Sequence, residues 1–104
     1  MIRSLAAGRI VTLERIGTKA ATLAPPATEA FNLELVKRYV DDVVAVTDEE
    51  MEHAATWLWR ELAVGTELAG AATTAALLSG RIPFDTKSRV VAVVCGAGSA
   101  GWST

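Results

Sequence analysis

The only thiol in the chain, Cys95, follows a continuous apolar run, Val90–Val94, and precedes the stretch Gly96-Ala97-Gly98-Ser99-Ala100-Gly101. A small-molecule site is expected there, because ligands of open α/β sheets bind just beyond the carboxyl ends of strands. Few other side chains offer chemistry. His53 is the single histidine, hence the one group titrating near neutrality by its reference pKa, but its spacing puts it on the polar face of a helix, where an imidazole is solvated. Asp41-Asp42 is an adjacent carboxylate pair with no His or Cys beside it. It reads as a solvated strand entrance, and no metal site is expected. Glu67 stands just ahead of a small-residue helix, where a carboxylate either complements the helix dipole or lines a cavity. The residues themselves leave both roles open.

The glycines after Cys95 spell GxGxxG behind a strand, the pattern of a dinucleotide-binding turn. That turn needs a helix opening on the third glycine and a further strand with an acidic residue about 20 positions on. The sequence stops at Thr104, so the dinucleotide reading is rejected.

The elements that must hold these groups read as follows. Val90–Val94 has the composition of a strand buried on both faces of a parallel sheet. Thr47 and Glu50 form a capping box, with Asp48 and Glu49 adding acid to the first turn of a helix that runs to about Leu62. Met51, Ala54, Ala55, Leu58 and Leu62 make its apolar stripe. Trp59 borders the stripe, whereas Trp57 points away from it and suggests a covering partner or subunit. A second helix, about Ala69–Ser79, is small-residued nearly all round, with Gly80 at its left-handed C′ position and Pro83 beyond. Earlier, Asn32 is expected to cap a helix over Leu33–Tyr39, followed by a short strand, Val43–Val46. Met1–Ala30 is weakly patterned, with a short strand over Arg9–Leu13 and a helix beginning at Thr18–Leu23 that Pro25-Pro26 must stop. Strand, helix, helix, strand in short succession is α/β organisation.

Composition sets outer bounds. The chain has 104 residues, of which 51% are apolar, yet 19 are alanine and only 6% are aromatic. Alanine contributes little burial per side chain, so the core is thin for a free-standing domain. A homo-oligomer or a piece of a larger fold is expected. A net charge of −2 gives no electrostatic reason to expect nucleic acid or an anionic membrane. A single cysteine excludes an internal disulfide and suits a reducing cytoplasm. The first residues are too weak for a secretory signal, and no run reaches membrane-spanning length.

Three segments then carry a family resemblance: VDDVVAVTDEEMEHA (Val40–Ala54), ELAGAATTAALLSG (Glu67–Gly80) and RVVAVVCGAG (Arg89–Gly98). Their order and spacing resemble the C-terminal part of the pyridoxal-phosphate-dependent threonine and serine dehydratases, relatives of serine racemase in the tryptophan synthase β-like class. Thr18-Lys19-Ala20 is similar to the family's Thr-hydrophobic-Ala segment. The resemblance implies part of a three-layer, parallel-sheet fold type II domain, with residues 1–104 forming a single partial domain whose N-terminal half is absent. It implies the cofactor pyridoxal 5'-phosphate and an amino acid as the substrate of the parent enzyme.

Residue by residue, Cys95 matches the family's Ser/Cys facing the pyridine nitrogen, where a neutral group leaves that nitrogen largely unprotonated. Gly96 matches the glycine that gives the ring clearance, and Glu67 the glutamate lining the cofactor cavity. The departures lie at Ala21 and Thr22, where the family usually has Asp-Gly, and at Gly98, where it has asparagine. The family's Ser-Phe-Lys segment with the Schiff-base lysine, its glycine-rich phosphate loop and its divalent-metal ligands have no counterpart here. The lysines are Lys19, Lys37 and Lys87, none in such a context. Because this chemistry needs that lysine, the expectation is a fragment that is inactive alone, with no catalytic residue of its own. The parent reaction is β-elimination of water from a hydroxy amino acid, followed by release of ammonia and a 2-oxo acid. The alternative is a non-catalytic α/β interaction domain that dimerises through its thin core and Trp57.

Overall fold

The computed structural model describes residues 1–13, 17–20, 25 and 27–102. They fall into two compact units, Met1–Val44 and the residues from Ala45 onward.

In the first unit, helix α1 (Ile2–Ala7) ends at Gly8, whose positive φ of 69° lets its N–H turn back to the Leu5 carbonyl. Ser4 is buried, and its hydroxyl accepts the Val11 N–H at 2.9 Å. Helix α2 (Ala30–Tyr39) starts earlier than the sequence suggested. Glu29 occupies the N-cap without a side-chain bond, and Asn32 lies inside the helix. Lys37 and Arg38 fill its last turn, complementing the dipole, and the Lys37 ammonium donates to the Gly8 carbonyl at 3.3 Å. Arg9–Leu13 forms no strand. The helix expected over Thr18–Leu23 does not begin at Thr18, whose hydroxyl instead accepts the Ala20 N–H in a local turn. Ala21, Thr22 and Leu23 lie outside the described residues.

The second unit is built on helix α3 (Asp48–Leu62). Thr47 caps it as predicted, its hydroxyl accepting the Glu50 N–H at 3.1 Å. The reciprocal half of a capping box is replaced, because the Glu50 carboxylate accepts two bonds from the Arg81 guanidinium, at 2.9 and 2.5 Å. That pair ties the start of α3 to the chain leaving helix α4 (Ala72–Leu78). Met51, Ala54, Ala55 and Leu58 are buried, with Met51 only 1% exposed. Burial of a side chain of that size contributes about 1.5–3 kcal/mol. Leu62, expected in the same stripe, is 57% exposed.

A single 3₁₀ turn, Ala69–Ala71, leads into α4, so the predicted Ala69–Ser79 helix is a tight turn followed by a shorter α-helix. Both pack on α3 through buried Ala69, Ala71, Thr74, Ala75 and Ala76. These small side chains allow the backbones to approach closely. Gly80, with φ 78°, takes the left-handed position after α4 as expected.

From Val91 to Gly98 the chain adopts no helix or ladder, and its residues alternate between exposed and half-buried. No ladder forms among the described residues. Their one β-bridge is antiparallel, between Thr66 and Ala97. Val90–Val94 is therefore not buried on both faces within this chain, and Val91 is 88% exposed. No neighbouring strand among the described residues covers it. Val43–Val46 likewise forms no strand. A closing turn, residues 99–102, returns to α3, where Trp102 lies on Trp59 with ring centroids 4.3 Å apart.

Candidate cofactor-facing wall

The structure brings Glu67, Cys95 and Gly96 to one place. The Glu67 N–H donates to the Gly96 carbonyl at 3.0 Å, and the Glu67 side chain lies over the open face of Gly96. A Cβ added to Gly96 would fall 2.7 Å from the Glu67 carboxyl carbon, closer than real Cβ contacts come, so the glutamate side chain would have to swing aside to admit it. Gly98 meets the Glu67 backbone, a Cβ there lying 2.7 Å from the amide nitrogen and 2.8 Å from Cα. Its own N–H donates to the Gly65 carbonyl at 3.3 Å. Cys95 is a free, exposed thiol immediately before this packed turn.

The same contacts explain the GxGxxG spelling. Gly96 and Gly98 are covered by Glu67, and Gly101 is buried against the Ala55 carbonyl and Trp59 of α3. Each glycine permits a close protein–protein approach, and the chain beyond them turns without forming a helix over residues 99–102.

Thr66 and Gly70, neither singled out by sequence, pack against the same backbone. Thr66 is fully buried, with its hydroxyl 2.9 Å from the Gly96 carbonyl oxygen and 2.8 Å from that of Glu67. Gly70 abuts that hydroxyl and the Gly96 backbone. A threonine before a glutamate has no local signature; its role emerges only when a carbonyl 30 residues away arrives beside it.

The other candidates lie apart. His53 is exposed, at the rim of a shallow hollow of about 230 Å³ whose lining includes Glu49, Glu50, Ala75, Leu78 and Ser79 but neither Cys95 nor Glu67. Asp42 serves its own backbone, its carboxylate accepting the Val43 N–H at 2.8 Å. No group of three or more metal-ligating side chains occurs among the described residues. Electrostatic perturbation is concentrated at the α3–α4 tie: hydrogen bonding from the Arg81 guanidinium holds the Glu50 carboxyl down at about 2, and Glu50 raises Arg81 in return. No described helix is long and apolar enough to cross a membrane.

The sequence profile of the pyridoxal-phosphate dependent enzymes matches residues 1–96. This chain belongs to that family. It is 38% identical over 99 residues to L-threonine ammonia-lyase of Thermotoga maritima, covering 95% of this chain and 24% of that protein. It is 36% identical over 96 residues to phenylserine dehydratase of Ralstonia pickettii, covering 92% of this chain and 29% of the relative. The crystal structure of a threonine deaminase from T.th. superposes with a TM-score of 0.71 at 30% identity, covering 78% of this chain and 28% of that one. The chain thus spans about a quarter of the length of these relatives.

Proposed function

We propose that this chain is the C-terminal part of the catalytic unit of a pyridoxal-phosphate-dependent hydroxy-amino-acid dehydratase, in which it forms one wall of the cofactor cavity. The observation that carries the reading is the packing of Glu67 on Gly96, next to Cys95, at the end of the apolar run Val90–Val94. The names of the relatives, a threonine ammonia-lyase and a phenylserine dehydratase, support a β-hydroxy amino acid as the substrate class.

The donor set suits the edge and face of an aromatic ring. Cys95 offers a thiol, Gly96 offers backbone without a side chain, and the Glu67 carboxylate occupies the face of Gly96 that a Cβ would take. Pyridoxal phosphate, when bound, supplies the electron sink that makes the α-proton removable and the β-hydroxyl a leaving group. With the cofactor bound, Cys95 would face the ring nitrogen, the Gly96 backbone would border the ring, and Glu67, seated on Gly96, would hold a carboxylate at the cavity edge. None of these moves the α-proton; that base and the phosphate-binding loop come from outside these residues. In the complete catalytic unit, Val43–Val46 and Val90–Val94 would become strands of a parallel sheet beside neighbours from its remaining part, with residues 1–104 as one partial domain. A cytoplasmic location accompanies this assignment, consistent with the single unpaired cysteine.

The chain alone, supplied with pyridoxal phosphate and threonine, is expected to form no 2-oxo acid. Substituting it for the matching segment of the Thermotoga maritima enzyme tests the assignment directly. The chimera should bind the cofactor and deaminate threonine, and Cys95→Asp within it should shift the cofactor's visible absorption. A folded chimera with no bound cofactor would overturn the proposal.

A further inference from the structure

We propose that Thr66 is a positioning residue: its hydroxyl latches the Gly96 carbonyl to the Glu67 segment and so sets where Cys95 and Gly96 stand. The inference rests on the reading of Cys95, Gly96 and Glu67 as the cofactor-facing wall.

A buried hydroxyl must find an acceptor, since leaving its polar atoms unpaired costs free energy. Thr66, 0% exposed, has two acceptors in reach, the carbonyls of Gly96 and Glu67. The Gly96 carbonyl also accepts the Glu67 N–H at 3.0 Å, so consecutive residues supply both donors to one oxygen. The Thr66 carbonyl in turn accepts the Ala100 N–H at 3.1 Å, fixing the chain on the far side of the glycines. Gly70 supplies the space: a Cβ there would collide with the Thr66 hydroxyl and come within 3.0 Å of the Gly96 oxygen. The hydroxyl, its two acceptors and the glycine that accommodates it form one latch. Cys95 is a single residue upstream of the latched carbonyl, so freedom at Gly96 is freedom of the thiol. Thr66 acts through Gly96, with its own side chain turned to backbone.

The hydroxyl and the shape of the side chain can be separated. Thr66→Val keeps the volume and removes the donor, whereas Thr66→Ser keeps the donor and removes a methyl. Amide hydrogen exchange on the intact chain reads the latch without any cofactor. Thr66→Val should lose roughly five- to tenfold protection at the Glu67 and Gly98 amides, while Thr66→Ser retains it. Gly70→Ala, which displaces the hydroxyl while leaving the threonine in place, should reproduce the loss and serves if the valine variant does not fold. Unchanged protection in Thr66→Val, or a larger loss in Thr66→Ser than in Thr66→Val, overturns the latch and assigns Thr66 to packing. In the chimera, Thr66→Val should shift the bound cofactor's absorption maximum and Thr66→Ser should not; an unshifted maximum beside a lost latch overturns the positioning role. A chimera that binds no cofactor condemns the wall itself and leaves the exchange result standing.

Discussion

Gly96 and Gly98 touch the same glutamate in different ways, and the difference gives an asymmetric expectation. A methyl at Gly98 would meet the amide nitrogen and Cα of Glu67, which are backbone, whereas one at Gly96 would meet the flexible carboxylate end of the side chain. Gly98→Ala should therefore cost about 1–3 kcal/mol, the range for overpacking a rigid site, and Gly96→Ala less, because Glu67 can swing aside. Urea unfolding of both variants checks the order, and a greater loss for Gly96→Ala would contradict this packing. Glu50 makes a second residue-level case. Its carboxyl sits at about 2 in the folded chain against an ordinary 4.5, chiefly through hydrogen bonding from Arg81. Because the folded value is the lower, the pair's contribution is fully present above about pH 4.5 and fades as pH falls toward 2. Glu50→Gln should flatten the fall in Tm across that window relative to the parent chain. Parallel Tm curves for parent and variant would show that the pair is not what titrates.

Among the elements, α3 carries the clearest consequences. Thr47 is its only side-chain N-cap, and Thr47→Ala should lower stability by about 1 kcal/mol. Met51→Ala should cost more, about 2–5 kcal/mol, because the side chain is closed in on every side. At the other end Ala63 adopts φ 55°, a left-handed conformation that costs an L-residue about 1–2 kcal/mol. Ala63→Gly should raise the unfolding midpoint in urea, the relief outweighing glycine's extra unfolded-state entropy of about 0.4–1 kcal/mol; a lowered midpoint would refute it. This helix was legible in the sequence because its signals are local: a capping threonine, an acidic first turn and an apolar stripe within fifteen residues. The start of α2 was less so, because Asn32 carries a good capping side chain but the helix begins at Ala30. Cys95 and Glu67 stand out by type and place, but their roles, and that of Gly96, come from resemblance and not from pattern. Thr66 escaped both, since its partner oxygen lies far along the chain.

At the scale of the whole molecule, the apolar content does not resolve into one well-covered core. Alanine-lined packing holds α3 and α4 together, yet Phe84, Val90, Val91, Val93 and Trp102 remain exposed. Trp57, which the sequence placed off the apolar stripe, is 36% exposed. The Val90–Val94 segment alternates between exposed and half-buried from Val91 onward and has no ladder beside it among the described residues. Its sequence favours an extended conformation, because four of its five residues are β-branched valines. It could not supply adjoining strands, which no local pattern within five residues can encode.

That uncovered run also bears on how long the polypeptide lasts in a cell. Proteases and chaperones triage chains by the apolar backbone they leave accessible, and an unpaired edge of valines offers both a cleavage substrate and a template for fibril-like stacking. Val91→Lys, a charge on the most exposed valine of the run, should lengthen the half-life of the chain expressed by itself, as a pulse-chase measurement would record.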